Sequence, residues 1–520
     1  MRVKIDPISD DSTINLALDT VKIGKQALVF ANTKRSAERT AEDISKKIKT
    51  ESKDLLEMSE NALHSLTRPT KQCERLAMCL KKGVAFHHAG LTSKQKEIIE
   101  EHFRNGLIKI ICCTPTLAYG VDLPAFRAIL KDLRRYGHRG LAYIPVLEFL
   151  QMAGRAGRPN FDKEGQAIIV AVSENEKKEL FKRYIQGEPE DIYSKLAVEP
   201  VLRMYVLSLV ASNFINTKKE IFDFFSKTFW AFQFADTFEL QQIIEKMLGL
   251  LGEWEFLRSN KEEFISADSL GDESYKATLL GKRVAELYID PLTAHNFIEC
   301  IKKAVSKRIN AFSFLQMISH SLELRPLLRV KTKEYDKIQE ELVKYDFHLL
   351  EEEPSLYEPE YDDFLNSIKT ALFFNEWIDE KDEEYLLENY DIRPGEIRVK
   401  LGIADWLLYT AEELARILQF QPILKELIKL RIRVEEGVKE ELIPLLKLEQ
   451  IGRVRARKLY YNKIRTVGDV READVMKLVQ VLGKQIALNV KKQVGEDFEK
   501  IKVPEGKRKG QISLEDYNEE

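Results

Sequence analysis

Gln151, Arg155 and Arg158 stand in a run of small residues, QMAGRAGRP at 151–159, and their side chains are of the kind that meets a polyphosphate. A guanidinium stays charged and offers a planar fork of donors, so it can stabilise charge building on a phosphoryl group in transfer. A glutamine one turn before Arg155 and an arginine three residues after it are expected to put three polar side chains on one face of a helix end. Ala153, Gly154, Ala156 and Gly157 leave room for close approach. The same residues suit a helix terminus capped by two arginines, so the chemistry depends on what surrounds them.

The surroundings alternate strand and helix from residue 26 to about 172. Short apolar runs at 27–31, 84–86, 108–113, 127–130 and 166–170 suit buried parallel strands. Thr33 can N-cap the charged helix after the first run, a helical insertion follows at 51–82, and Thr92 opens a helix to Arg104 that Asn105 and Gly106 end. The expectation is a multidomain chain, α/β and then mostly α, whose first part is a RecA-like doubly wound lobe with a parallel sheet.

Four stretches then fall in order at strand ends: residues 27–38 (ALVFANTKRSAE), 86–91 (FHHAGL), 113–124 (CTPTLAYGVDLP) and 151–159 (QMAGRAGRP). They resemble motifs IV, IVa, V and VI of superfamily-2 helicases, and within these the Ski-type branch, most closely the archaeal Hjm DNA helicases. The resemblance covers essentially the whole chain and weakens after about residue 259. It implies that Gln151, Arg155 and Arg158 face ATP across a cleft from another lobe, as the catalytic group, with Gly120 and Asp122 of motif V beside the nucleotide. It also implies that Thr114 and Thr116 hold a nucleic-acid backbone; hydroxyls and backbone amides suit that role because they bind phosphate without reading sequence.

A phosphate-binding loop, G-x-x-x-x-G-K-[ST], would cradle ATP and its Mg2+. None is present: Lys25, Lys282, Lys484 and Lys507 follow glycine but precede Gln26, Arg283, Gln485 and Arg508, and there is no D-E-x-H. The chain is therefore expected to carry half of an ATPase. ATP and Mg2+ would be held mostly by a first lobe supplied in cis or by another chain in trans, and the chain alone is expected to be inactive as an ATPase. A split gene product, a truncated reading frame and a fragment all stay open.

The remaining sequence suggests a division into residues 1–185 (second RecA-like lobe), 186–270 (winged helix), 271–440 (helical ratchet domain), 441–500 (a helix-hairpin-helix-like module) and 501–520 (a flexible tail). Within the lobe, residues 131–145 read as two short strands around a turn. In the resembling helicases such a hairpin wedges into the duplex, which makes Tyr136 the candidate for replacing a lost base stack; a plain surface hairpin is the alternative. Three helices near 191–211, 217–227 and 237–251, with a hairpin around Ser259, Asn260 and Lys261, give the winged helix, whose aromatic faces favour packing over DNA binding. An acidic run at 351–363 is expected to face solvent. The helix at 394–415 resembles a ratchet helix in which an arginine and a tryptophan touch the moving strand. Arg398, or Lys400 in its stead, and Trp406 would be those residues. Arg398 lies eight residues before Trp406 where some relatives have seven, and Trp406 borders an apolar face of Leu407, Leu408, Ala411 and Leu414 that could absorb it into a core.

Arg453, Arg455 and Arg457 follow Gly452 in a turn resembling a helix-hairpin-helix, with Val454 where a second glycine is usual, and are candidate contacts to a single strand. Gln511, Leu514 and Tyr517 have the spacing of a sliding-clamp box, with Asn518 in place of its second aromatic. Composition bounds these readings. At 520 residues three to five domains are expected, and a net charge of −3 argues against a uniformly basic nucleic-acid coat. The five cysteines show neither disulfide nor zinc spacing, so no metal site is expected and a reduced cytoplasmic setting fits; no run reaches membrane-spanning length. The expected function is that of the C-terminal part of an ATP-dependent 3′ to 5′ DNA helicase acting on single-stranded and forked DNA in repair and recombination; polarity and fork preference come from the resemblance. A Ski-type RNA helicase and a non-catalytic nucleic-acid-binding adaptor are the alternatives.

Overall fold

The computed structural model describes the chain except residues 1–4, 51, 67, 138, 139, 159–161, 163, 197, 235, 236, 261–272 and 496–520. It comprises two compact units, one formed by Met1–Val201, Phe222–Ile243 and Asp382–Lys400, the other by Leu202–Ile221, Ile244–Lys381 and Leu401–Glu520.

Among the described residues seven strands belong to the first unit: β1 (Ala27–Phe30), β2 (Val84–His87), β3 (Ile110–Cys113), β4 (Arg127–Leu130), β5 (Arg134–Gly137), β6 (Gly140–Tyr143) and β7 (Gln166–Ile169). Five of them make one all-parallel sheet in the order β2-β3-β1-β4-β7, and β5 and β6 pair as an antiparallel hairpin. The parallel α/β lobe expected from the apolar runs is present. Every residue of β1 to β4 is buried, as strands covered on both faces must be. That includes Arg127, whose guanidinium is met by Asp19 at 2.6 Å, Thr20 at 3.0 Å and Gln166 at 2.8 Å. Local chemistry sets the helix starts: the Thr33 side chain accepts from the amide of Ser36, and Thr92 and Gln95 form a reciprocal capping box.

The lobe corrects one expectation about the arginine run. The helix Val146–Ala153 stops before either arginine, so Gln151 alone of the three lies on it. Beyond Gly154 the backbone turns and pairs with Ala125, which donates to Arg155 O and accepts from Gly157 N. Gly157 has φ +97°, and a Cβ on the facing Gly165 would lie 2.4 Å from the Gly157 nitrogen. Two glycines thus let the chain leave the helix and run against a neighbour.

Other boundaries shift for similar reasons. The helix expected from 191 begins at Glu199, which puts Pro200 in the first turn, where its missing N–H costs nothing. The strand β8 (Leu257–Ser259) pairs antiparallel with β9 (Tyr275–Ala277); Lys261, in the turn of the expected hairpin, lies outside the described residues. Glu351 does not face solvent: it accepts from His320 Nδ1 at 2.7 Å and Gln316 Nε2 at 2.8 Å, whereas Glu352 is exposed.

In the second unit the helix Tyr361–Ile378 buries Phe364, Phe373, Phe374 and Trp377, and the Trp377 indole donates to Val434 O at 2.8 Å. Gly437, at φ +66°, ends the helix Gln421–Glu436; any Cβ there would meet the Trp377 ring at 2.7 Å. A separate cluster around Leu442, Leu445, Ile451, Leu459, Val470, Leu478 and Val490 forms the core of the last helices. No helix among the described residues is long and apolar enough to cross a membrane. All five cysteines are free and buried, and burial pushes the Cys79 thiol up to about 12, which makes it a packing residue.

Candidate nucleic-acid interface

The carboxyl ends of β1, β2 and β3 open on a groove of about 720 Å3, and each side of it traces to a sequence motif. After β1 come Asn32, Thr33, Lys34 and Arg35, after β2 Ala89, and after β3 Thr114, Pro115, Thr116 and Tyr119; Arg135, Glu148 and Arg393 complete the lining. The Thr114 and Thr116 hydroxyls are 2.8 Å apart, and the Thr114 amide donates to His87 O. Tyr119 is 55% exposed, so an aromatic face borders the hydroxyls. Burial and, after it, the nearby Glu148 carboxylate raise its phenol above the ordinary value.

Beneath this groove lies a polar network that sequence reasoning did not find. Glu38, on the helix Lys34–Ser45, accepts from His88 Nε2 at 3.1 Å and from Arg393 Nε at 3.0 Å on one oxygen, and from Arg75 Nη1 at 2.8 Å on the other. His88 Nδ1 accepts from the Gly90 amide at 3.1 Å, which fixes the tautomer: the ring hydrogen is on Nε2, facing Glu38. Burial lowers the His88 pKa despite Glu38, so the ring is neutral at neutral pH. Burial would raise the Glu38 carboxyl, but the His88 hydrogen bond and the Arg393 charge together hold it down at about 2.

Arg393 arrives by a close backbone approach. Gly395 N donates to Gly90 O at 3.1 Å, and a Cβ on Gly395 would lie 2.2 Å from Leu91 O and 2.5 Å from Ala89 O. On Gly90 a Cβ would lie 2.3 Å from Arg393 Cδ. The two glycines let the 88–91 and 393–395 segments touch.

The residues expected to face ATP divide. Arg155 joins motif V: Nη1 lies 3.5 Å from Asp122, which is 93% exposed, and Nη2 donates to Ala118 O, close to Gly120 at the end of the short helix Thr116–Gly120. Gln151 is exposed on its helix. Arg158 turns elsewhere. It donates to both Asp162 oxygens, at 2.7 and 3.3 Å, and to Gln26 Oε1 at 2.6 Å, just before β1. Asp162 also takes Lys25 at 2.6 Å and is almost wholly buried, and the Arg158 hydrogen bond is the main reason its pKa lies low. To meet a polyphosphate Arg158 would have to leave Asp162, and Arg155 already donates to Ala118 O and lies against Asp122.

The other candidates are scattered. Tyr136 is on β5, and its side chain lies outside what the structure describes, as do Gln511, Leu514 and Tyr517. Arg398 is 60% exposed and 3.6 Å from Glu383, and Lys400 is half-buried. In the second unit Trp406 is half-buried, its indole donating to Leu287 O at 3.0 Å. Arg453 donates to Lys381 O and lies over Trp377, and Arg455 donates to Gln450 O. Arg457 is committed to Glu380 and, at 2.9 Å, to Glu441.

Comparison with known proteins matches this picture. Residues 65–160, which hold β2, β3 and the groove residues from Ala89 to Glu148, match the family described as helicase conserved C-terminal domain, and residues 312–437 match archaeal helicase, domain 4. Among relatives, the ATP-dependent DNA helicase Hel308 of Pyrococcus horikoshii is 38% identical over 505 residues, covering 96% of this chain and 67% of its own length. That of Methanococcus vannielii is 36% identical over 526 residues, covering 94% and 68%. The chain belongs to the Hel308 family, so the resemblance to archaeal superfamily-2 helicases drawn from four motifs holds at that level. It spans about two thirds of the length of these relatives.

Proposed function

We propose that the chain is the strand-tracking part of an ATP-dependent DNA helicase that moves 3′ to 5′ and acts on forks and recombination intermediates. The observation that carries this reading is the groove at the strand ends, where paired threonine hydroxyls, an exposed tyrosine and basic side chains meet in a chain of the Hel308 family. Thr114 and Thr116 would together hold a backbone phosphate without reading bases, and Tyr119 would offer a stacking face. Tyr136 would split the duplex, and Arg398 and Trp406 would grip the strand between steps.

ATP would be held between this lobe and a lobe carrying a phosphate-binding loop, supplied in cis or in trans. Gln151, Arg155, Gly120 and Asp122 would border it, and Arg158 would join on release from Asp162. Mg2+-bound ATP supplies the free energy of translocation; Arg155 and Arg158 would supply the positive charge that offsets the phosphates. The lobe, the winged helix at 186–270, the ratchet domain at 271–440 and the helix-hairpin-helix-like module at 441–500 remain our division of the chain, with clamp binding through Gln511, Leu514 and Tyr517 as an accessory.

The test is unwinding of labelled forks by the chain together with a first lobe. A fork with a 3′ tail should be opened in the presence of ATP and one with a 5′ tail should not, and the chain alone should hydrolyse no ATP. Turnover by the purified chain alone, or equal unwinding of an RNA fork, would overturn the reading; the latter would favour the RNA helicase.

A further inference from the structure

Among the described residues four cations line the groove, and three of them hold a carboxylate through a terminal nitrogen. Lys34 pairs with Glu396, Arg35 with Asp391 at 2.8 Å and Arg135 with Glu148 at 2.9 Å. Arg393 differs. Its side chain is only 9% exposed, yet Glu38 engages it through Nε alone. The two terminal nitrogens have no hydrogen-bond partner among the described residues, and they are not among the unpartnered atoms sealed from solvent. A guanidinium held on its inner edge, with its outer edge reaching a groove, has the geometry for one more acceptor.

We propose that Arg393 is a backbone-phosphate ligand of the groove, presented end-on to a single-stranded DNA phosphodiester, and that Glu38 and His88 are the positioning residues that set its plane. This rests on the groove carrying a nucleic-acid strand, as proposed above. The fixed His88 tautomer orients Glu38, and Glu38 holds Nε. The Gly90 and Gly395 contact sets the distance of Arg393 from Ala89 and, across the groove, from Thr114 and Thr116. Phosphate binding by such a pinned fork costs little ordering, because the side chain is already immobile. Glu38 keeps its other partners, His88 and Arg75, when Arg393 is lost, so the lobe tolerates the change.

The experiment is anisotropy of a labelled oligothymidine with the full chain, titrated across a salt series. Arg393→Gln should lower the slope of log affinity against log salt by about 0.7, the worth of one single-strand phosphate contact. Between about 50 and 200 mM salt the ratio of wild-type to variant affinity should then fall by roughly 2.6-fold, and an oligoadenosine should give the same change. Glu38→Gln should lower the slope by the same amount, and the double variant no further. A Glu38 variant with a lower melting temperature but the wild-type slope would mark Glu38 as structural only and overturn the positioning role. The paired variant Thr114→Val with Thr116→Val gauges the groove itself. If it weakens binding while Arg393→Gln keeps the wild-type slope, the Arg393 proposal fails and the groove reading stands. If neither changes binding, the groove reading fails and takes the proposal with it. The Arg393 arm holds even where a Glu38 variant does not fold.

Discussion

Replacing Glu38 by glutamine keeps its shape and removes the one negative charge on which His88, Arg75 and Arg393 converge. The folded protein holds this carboxyl at about 2 against an ordinary 4.5. That gap corresponds to about 3 kcal/mol in favour of the folded state, and with the side chain 2% exposed little of it is lost to solvent screening. Because the folded value lies below the unfolded one, this stability is complete above about pH 4.5 and is lost as the pH falls through about 2. Glu38→Gln should therefore be about 3 kcal/mol less stable than wild type at pH 7, with the difference closing between about pH 4.5 and pH 2. All four tryptophans, Trp230, Trp254, Trp377 and Trp406, lie outside residues 1–201, so tryptophan fluorescence gives no direct report on the strand part of the lobe. Pulse proteolysis in urea, following peptides of β1 to β3 and comparing the two proteins at each pH, does report on it. A difference of the same size at pH 3 and pH 7 would refute the reasoning.

Arg457→Ala leaves Glu380 without its bidentate partner and should cost ~3 kcal/mol of stability in the second unit, while the salt slope of single-strand binding stays at the wild-type value; a fallen slope at unchanged stability would return Arg457 to the nucleic-acid contacts. Trp406→Phe removes the hydrogen bond to Leu287 O and should cost about 1 kcal/mol of stability with single-strand affinity unchanged, whereas Trp406→Ala should weaken binding by about 1–3 kcal/mol if the ring stacks on a base. Melting and affinity measured on both variants separate the anchor from the stack. With a first lobe supplied, Arg158→Ala should abolish most ATP turnover and spare DNA binding, because its charge matters most in the transition state; equal loss of both would leave Arg158 as the partner of Asp162 alone.

The parts of the fold that could be read in the sequence are those decided locally. β1 to β4 are unbroken apolar runs or nearly so, and the Thr92 and Gln95 pair announces its helix within four residues. Thr114 and Thr116 likewise announced their hydroxyls, and these lie together on the groove. What escaped was decided at a distance. Arg393 meets Glu38 across 355 positions, and nothing near either residue names the other. Arg158 sits on Asp162 and Gln26 because Gly154 and Gly157 end the helix early, an outcome that the spacing of the two arginines, taken as helical, hid. Glu351 in the acidic run points inward because His320 and Gln316 wait for it, and a count of charges has no means to tell it from Glu352.

The same separation bears on how the protein is made. The sheet lobe takes its last piece from Asp382–Lys400, although its first ends at Val201. Joining Arg393 to Glu38 closes a loop whose entropy cost is about 5 kcal/mol, against which Glu38, His88 and the glycine contact must act together. A ribosome adding about 5–20 residues each second needs roughly 10–40 s to pass from the one segment to the other. For that time the nascent lobe holds Glu38 and His88 without Arg393, so the floor of the groove is the last part of the lobe to be completed during synthesis.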